Sequence, residues 1–228
     1  MKFAIVPALC LALSALCAGE ANTTKPAEKD PARHKGFLAD IKKMNGVANL
    51  VFVGDSITDG WRGGGKAVWQ KHFAAYKPLN LGISGDRTEH VLWRMKNGEL
   101  DGYFARLFVI MIGTNNGGDP APDVAAGIEA IMKEIKAKQP NARILLLGIF
   151  PRSEQPDPAR NKNDEVNKLI SKFADNKTVK YLDIGDKFLN ADKSMSKEIM
   201  PDFLHPSAKG YEIWAKAIED TVKQMMGA

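Results

Sequence analysis

The sequence predicts a three-layer α/β/α sandwich around a parallel sheet. Short apolar runs of four to seven residues recur along the chain, longer amphipathic segments alternate with them, and loops rich in glycine follow the runs. Apolar runs of that length suit strands buried on both faces, and the helical segments between them supply the crossovers that parallel strands need. At 228 residues, with 44% hydrophobic and 26% charged residues, the chain has the size and composition of one soluble domain with a sizeable core.

The elements follow in order. Residues 1–19 have the composition of an export signal peptide: Lys2 gives a positive start, residues 3–16 are apolar, and Ala15, Cys17, Ala18 and Gly19 form a small-residue cleavage region. The apolar run is too short for a stable membrane anchor. Cys17 as a lipid-bearing residue is disfavoured by the bulky Leu16 before it. Cys10 and Cys17 are the only cysteines, so a processed chain would hold none, which excludes disulfides, thiolate catalysis and cysteine-ligated metals. Residues 20–30, rich in Ala, Thr, Lys and Pro, read as a flexible spacer before a domain over 31–228. Residues 33–44 form a covering helix with Phe37, Ile41 and Met44 on one face.

Strands are then predicted at 50–53, 78–83, 107–112, 143–149 and 179–184. Helices are predicted at 66–76, 87–96, 124–138, 159–173 and 207–225. Five strands with helices on both faces make a flavodoxin-like sandwich. The net charge of +5 is spread along the chain and interleaved with acids, so it reads as a solvated surface and not as a nucleic-acid footprint.

Ligands of such sheets bind beyond the carboxyl ends of the strands. The loops there carry Gly54-Asp55-Ser56, Gly82-Ile83-Ser84-Gly85-Asp86 and Gly113-Thr114-Asn115-Asn116, with Asp202-Phe203-Leu204-His205 just before the last helix. A serine hydroxyl becomes a nucleophile when a base takes its proton and an acid orients that base. Asp202 and His205 lie three residues apart in a turn ended by Pro206, which suits an acid–base pair facing Ser56. His90, one turn after Asp86, is the rival base. Gly85 can offer a backbone N–H, Asn115 a side-chain amide and Ser56 its own N–H to a developing oxyanion. Taken singly, Ser56 and Asn115 also read as helix caps and Gly85 as a turn glycine.

Together these four blocks resemble those of the SGNH (GDSL) hydrolases. Over most of the mature length the chain is similar to the catalytic subunits of intracellular platelet-activating-factor acetylhydrolase, most clearly at 80–100, 127–140 and 151–167. The resemblance implies a serine esterase with Ser56 as nucleophile, His205 as base and Asp202 as its acid. It also implies an oxyanion hole of Ser56, Gly85 and Asn115, a preference for acetyl, no cofactor, and a homodimer. It places Ile57 and Leu204 in the acyl pocket, although both also suit the core.

Two features depart from the family: the export signal, and the insert Gly60-Trp61-Arg62-Gly63-Gly64-Gly65 beside Ser56. Exposed in that loop, Trp61 and Arg62 would stack on or bond a sugar, so an exported acetylesterase acting on glycans is expected. The alternatives are a lipid acetylhydrolase or lysophospholipase, and a non-catalytic glycan-binding protein on the same fold. The insert also matches the start of a phosphate-binding loop, but Ala67 replaces the hydroxyl residue that would hold magnesium. Ser84 fails as a nucleophile because Asp86 stands where a nucleophile elbow needs glycine. No HExxH or comparable metal-ligand spacing occurs.

Overall fold

In a computed structural model, the structure describes residues 21–227. The predicted signal segment 1–19 lies outside the described residues. Five parallel strands form one sheet: β1 (Leu50–Gly54), β2 (Pro78–Gly82), β3 (Leu107–Met111), β4 (Arg143–Leu147) and β5 (Val179–Leu182). Their order in space is β2-β1-β3-β4-β5, so the chain moves to one side of β1 and then to the other. That reversal opens a crevice at the carboxyl end of β1, where Ser56 stands.

Alternation along each strand splits the interior into two cores. Val51, Val53, Phe108, Ile110, Ile144 and Leu146 face one side of the sheet, and Leu50, Phe52, Val109, Met111, Leu145 and Leu147 face the other. Helices α1 (Pro31–Lys43), α4 (Thr88–Arg94), α5 (Ala121–Lys138) and α6 (Pro158–Ile170) bury Phe37, Val91, Ile128 and Val166 on the first side. Helices α3 (Lys66–Phe73) and α7 (Ala208–Met226) bury Phe73 and Trp214 on the second. Each fully buried side chain of this size contributes about 1.5–3 kcal/mol. The helix starts are locally encoded: Asp30 accepts from the Arg33 N–H at 2.9 Å ahead of Pro31, and Asp157 accepts from the Arg160 N–H at 2.7 Å ahead of Pro158.

The five strands and the helical segments match the sequence reading, with ends displaced by at most three residues. Residues 46–47 and 103–104 add a two-residue parallel ladder that the sequence did not announce.

The stretch read as a flexible spacer is instead bound to the domain. Thr23 is fully buried, its hydroxyl donates to the Asp123 carbonyl at 2.6 Å, and its carbonyl accepts from the Thr88 hydroxyl at 3.1 Å. The Ala27 N–H bonds the Glu89 carbonyl at 3.1 Å. Lys29 reaches the Ser84 carbonyl and lies 3.4 Å from an Asp86 oxygen. A polar composition gave no hint of these bonds, because every partner lies at least 55 residues away in the chain.

Candidate active site

The short helix α2 (Ser56–Asp59) starts directly after β1, and Asp55 caps it by accepting from the Ile57 N–H at 3.0 Å. The helix lies so close to the sheet that two glycines are obligatory. A Cβ on Gly54 would fall 2.2 Å from the Thr58 hydroxyl, and one on Gly82 would fall 2.3 Å from the Asp59 nitrogen. Asn80 pins the same helix by donating to the Thr58 carbonyl at 2.9 Å, and the Tyr211 hydroxyl donates to the Ile57 carbonyl at 2.7 Å. The half-buried Ser56 is thereby held over the sheet edge.

Across the crevice, Asp202 folds a tight turn around one carboxylate oxygen, which accepts from the Leu204 and His205 N–H groups at 3.1 and 2.7 Å. The turn carries Phe203 at φ +59°, a left-handed conformation that costs an ordinary residue about 1–2 kcal/mol. Its carbonyl is tied down by the Ser153 N–H at 2.9 Å. The turn aims the other Asp202 oxygen at His205 Nδ1, 2.6 Å away, and His205 Nε2 lies 2.8 Å from Ser56 Oγ. Burial alone would raise the Asp202 carboxyl, but the bonds from the His205 ring and from the two amides outweigh it and hold it below the ordinary range.

The loops after β2 and β3 leave the sheet beside the Ser56 loop because of strand register. Gly54 pairs with Gly82 on one side and with Met111 on the other, so the segments after β1, β2 and β3 leave the sheet side by side. Gly85 has φ +72° and is exposed, and the Asn115 amide donates to the Asp86 carbonyl at 2.9 Å, linking the two outer loops. No acceptor engages the Ser56 or Gly85 N–H among the described residues. A buried ion-pair chain stands behind this loop: Arg94 donates to Asp86 at 2.8 and 3.0 Å and also bonds Glu99, which is 2.8 Å from His34 Nδ1. Removing one partner from such a chain strands a buried charge, so Arg94 fixes the loop that carries Gly85.

The rival base is placed elsewhere. His90 Nδ1 accepts from the Arg87 N–H at 3.0 Å, an internal helix-capping role. The Gly63 and Gly65 N–H groups both donate to the Gly60 carbonyl at 3.0 Å, so they do not cradle an anion.

The expected places of Trp61 and Ile57 in the pocket need correction. Trp61 is 1% exposed and packs among Tyr211, Trp214, Trp69, Phe73 and Phe52, so it offers no face to a sugar. Ile57 is fully buried in the same core, and Leu204 is half-buried against it. Arg62 does reach the crevice. A cavity of about 720 Å³ is lined by Ser56, His205 and Ser84 together with Arg33, Asp59 and Arg62. Arg33 and Asp59 were not singled out from the sequence. Arg33 sits on a helix read only as a cover, and Asp59 is one of many surface carboxylates in composition.

Asp55 is an unusual neighbour. It is wholly buried, its second oxygen has no partner among the described residues, and its carboxyl is pushed up to about 7. Burial is the main cause. The Ile57 N–H bond opposes it, the Asp86 charge adds to it, and the His205 charge opposes it. Its folded-state value thus lies above its unfolded one. The folded protein keeps a proton that the unfolded chain has lost, and this contribution to stability, complete below about pH 4, disappears as pH rises through about 7. Asp55→Asn should therefore flatten the decline in melting temperature between about pH 4 and about pH 7. Parallel curves for the two proteins would refute this assignment.

Comparison with known proteins shows the family of the chain. The rat platelet-activating factor acetylhydrolase IB subunit alpha2 is 39% identical over 199 residues, covering 86% of this chain and 84% of that protein. Two solved structures share the fold. A GDSL-like lipase from Bacteroides thetaiotaomicron has TM-score 0.64 and 20% identity, over 84% of this chain and 97% of its own. A carbohydrate acetylesterase from Sinorhizobium meliloti has TM-score 0.62 and 18% identity, over 78% and 99%. Residues 52–213 match the GDSL-like Lipase/Acylhydrolase family. The chain belongs to that family and is a carboxylic ester hydrolase.

Proposed function

We propose that the protein is an exported serine esterase that removes acetyl groups from the hydroxyls of a carbohydrate. The observation that carries the reading is the continuous line of bonds from Asp202 through His205 to Ser56, at 2.6 and 2.8 Å. In this reading His205 Nε2 takes the Ser56 proton as Oγ attacks the ester carbonyl, and Asp202 stabilises the imidazolium that forms. The Ser56 and Gly85 N–H groups and the Asn115 amide receive the oxyanion, each such donor being worth about 2.7–4 kcal/mol. His205 then protonates the departing alcohol, and water repeats the sequence on the acyl-enzyme.

Acetyl as the acyl group is supported by the names of the relatives, an acetylhydrolase and a carbohydrate acetylesterase. The composition of residues 1–19 supports export, and a mature protein that retained those residues would count against it. A carbohydrate as the alcohol part fits both export and an open cavity whose wall carries Arg33, Asp59 and Arg62. The test is a turnover panel of p-nitrophenyl esters of increasing chain length and acetylated xylo-oligosaccharides, with Ser56→Ala as control. The expected result is a steep fall beyond acetyl and release of acetate from the glycans. Preference for long chains would move the assignment to a lipase, and turnover no faster than Ser56→Ala would return it to a binding protein.

A further inference from the structure

The wall of the Ser56 cavity is electrically unbalanced. It holds two guanidiniums, Arg33 and Arg62, against one carboxylate, Asp59. Both arginines bond the same Asp59 oxygen, at 3.0 and 2.5 Å, and both stack on Phe37 with the guanidinium carbon 5.0 Å from the ring centre. Arg62 is committed to the fold: it also donates to the Gly82 carbonyl at 3.2 Å and to the Asn80 carbonyl. Arg33 is not. Among the described residues Asp59 is the one acceptor it reaches, so its Nε and Nη1 hydrogens are unengaged, and its side chain is 39% exposed. Burial first, and then the positive charge of Arg33, lower the affinity of Arg62 for its proton, while Asp59 opposes both.

An acetyl group fills only a small part of a cavity of about 720 Å³, so Arg33 faces the region left to the alcohol portion of the ester. We infer that Arg33 is a specificity residue that binds a carboxylate on that alcohol portion, and that the preferred substrates are acetyl esters of acidic sugars. The inference rests on the esterase reading for which side of the cavity meets the alcohol. Asp59 takes one Nη2 hydrogen of Arg33, so the second, together with its neighbour on Nε or Nη1, can meet a carboxylate in a two-pronged bond, and Phe37 and Asp59 hold the plane in place. Arg62, its donors taken by Asp59 and two carbonyls, adds charge alone. A neutral sugar would leave the excess positive charge unanswered.

The test is calorimetric titration of the Ser56→Ala protein, which holds the ligand without turnover. The probes are mono-O-acetylated methyl glucuronosides and their methyl esters, which lack the charge and add one methyl group. The acid should bind about tenfold more tightly at low salt, with the advantage shrinking as salt is added. In Ser56→Ala/Arg33→Gln the advantage should vanish, and Arg33→Lys should keep part of it. Equal affinities for acid and methyl ester, no detectable binding of the acid, or an advantage that survives Arg33→Gln would each overturn the inference. Hydrolysis of p-nitrophenyl acetate by the wild-type protein reads the esterase assignment separately. A protein that hydrolyses it yet binds acid and methyl ester alike keeps the assignment and loses the inference.

Discussion

His205→Ala should lower kcat on p-nitrophenyl acetate by on the order of 10⁴–10⁶-fold, and Ser56→Ala should do the same. The two losses should not multiply. Base and nucleophile act as one unit across a single 2.8 Å bond, so the double variant should be barely slower than either single one. Asp202→Ala should cost less, because the carboxylate acts only through the imidazole that it orients at 2.6 Å. None of these variants should unfold the protein, since all three side chains stand at the crevice and not in either core. Steady-state rates with melting curves as a fold control give the answer. Loss of activity by His205→Ala of less than tenfold would show that another group serves as base.

Trp61→Ala should be the most damaging change in the loop beside Ser56, and its damage should be to stability. The ring lies 4.4 Å from Tyr211, 4.9 Å from Trp214 and 5.6 Å from Phe73, measured between ring centres. Truncation leaves a large cavity in the core between the sheet, α3 and α7, at a cost of about 3–5 kcal/mol. For a domain of this size that is a fall of roughly 6–20 °C in melting temperature. Trp61→Phe should recover much of the loss. A melting temperature within about 2 °C of wild type would contradict the buried placement.

The parts of the molecule that could be read from sequence are those whose physics is local. Leu50 to Gly54 is an apolar run closed by a glycine, and nothing but a buried strand suits it. Asp202 and His205 are legible because a three-residue offset in a turn can bring carboxylate and ring together unaided. Ser56, Gly85 and Asn115 could be grouped because parallel strands send their carboxyl-end loops to one rim.

The features that could not be read depend on distant partners. Trp61 sits in a glycine-rich segment that looks solvated, yet its pocket is built by Trp69, Phe73, Tyr211 and Trp214 from two later helices. Thr23 is anchored by Thr88 and Asp123, with no local signal in a run of Ala, Thr and Lys. Arg33 reads as an ordinary charge on a covering helix, and only the fold brings the start of that helix to the crevice, with the guanidinium 3.0 Å from Asp59. The Asp86–Arg94–Glu99–His34 chain joins residues that composition alone assigns to the surface.

The central claim is that Ser56 carries the acyl group during turnover. The direct measurement is rapid acid quench of the protein during hydrolysis of p-nitrophenyl acetate, followed by mass spectrometry of its peptides. Acetylation of the peptide containing Ser56 in the wild-type protein, absent from Ser56→Ala, is the predicted result. An acetyl group found on another residue, or turnover undiminished in Ser56→Ala, would contradict it.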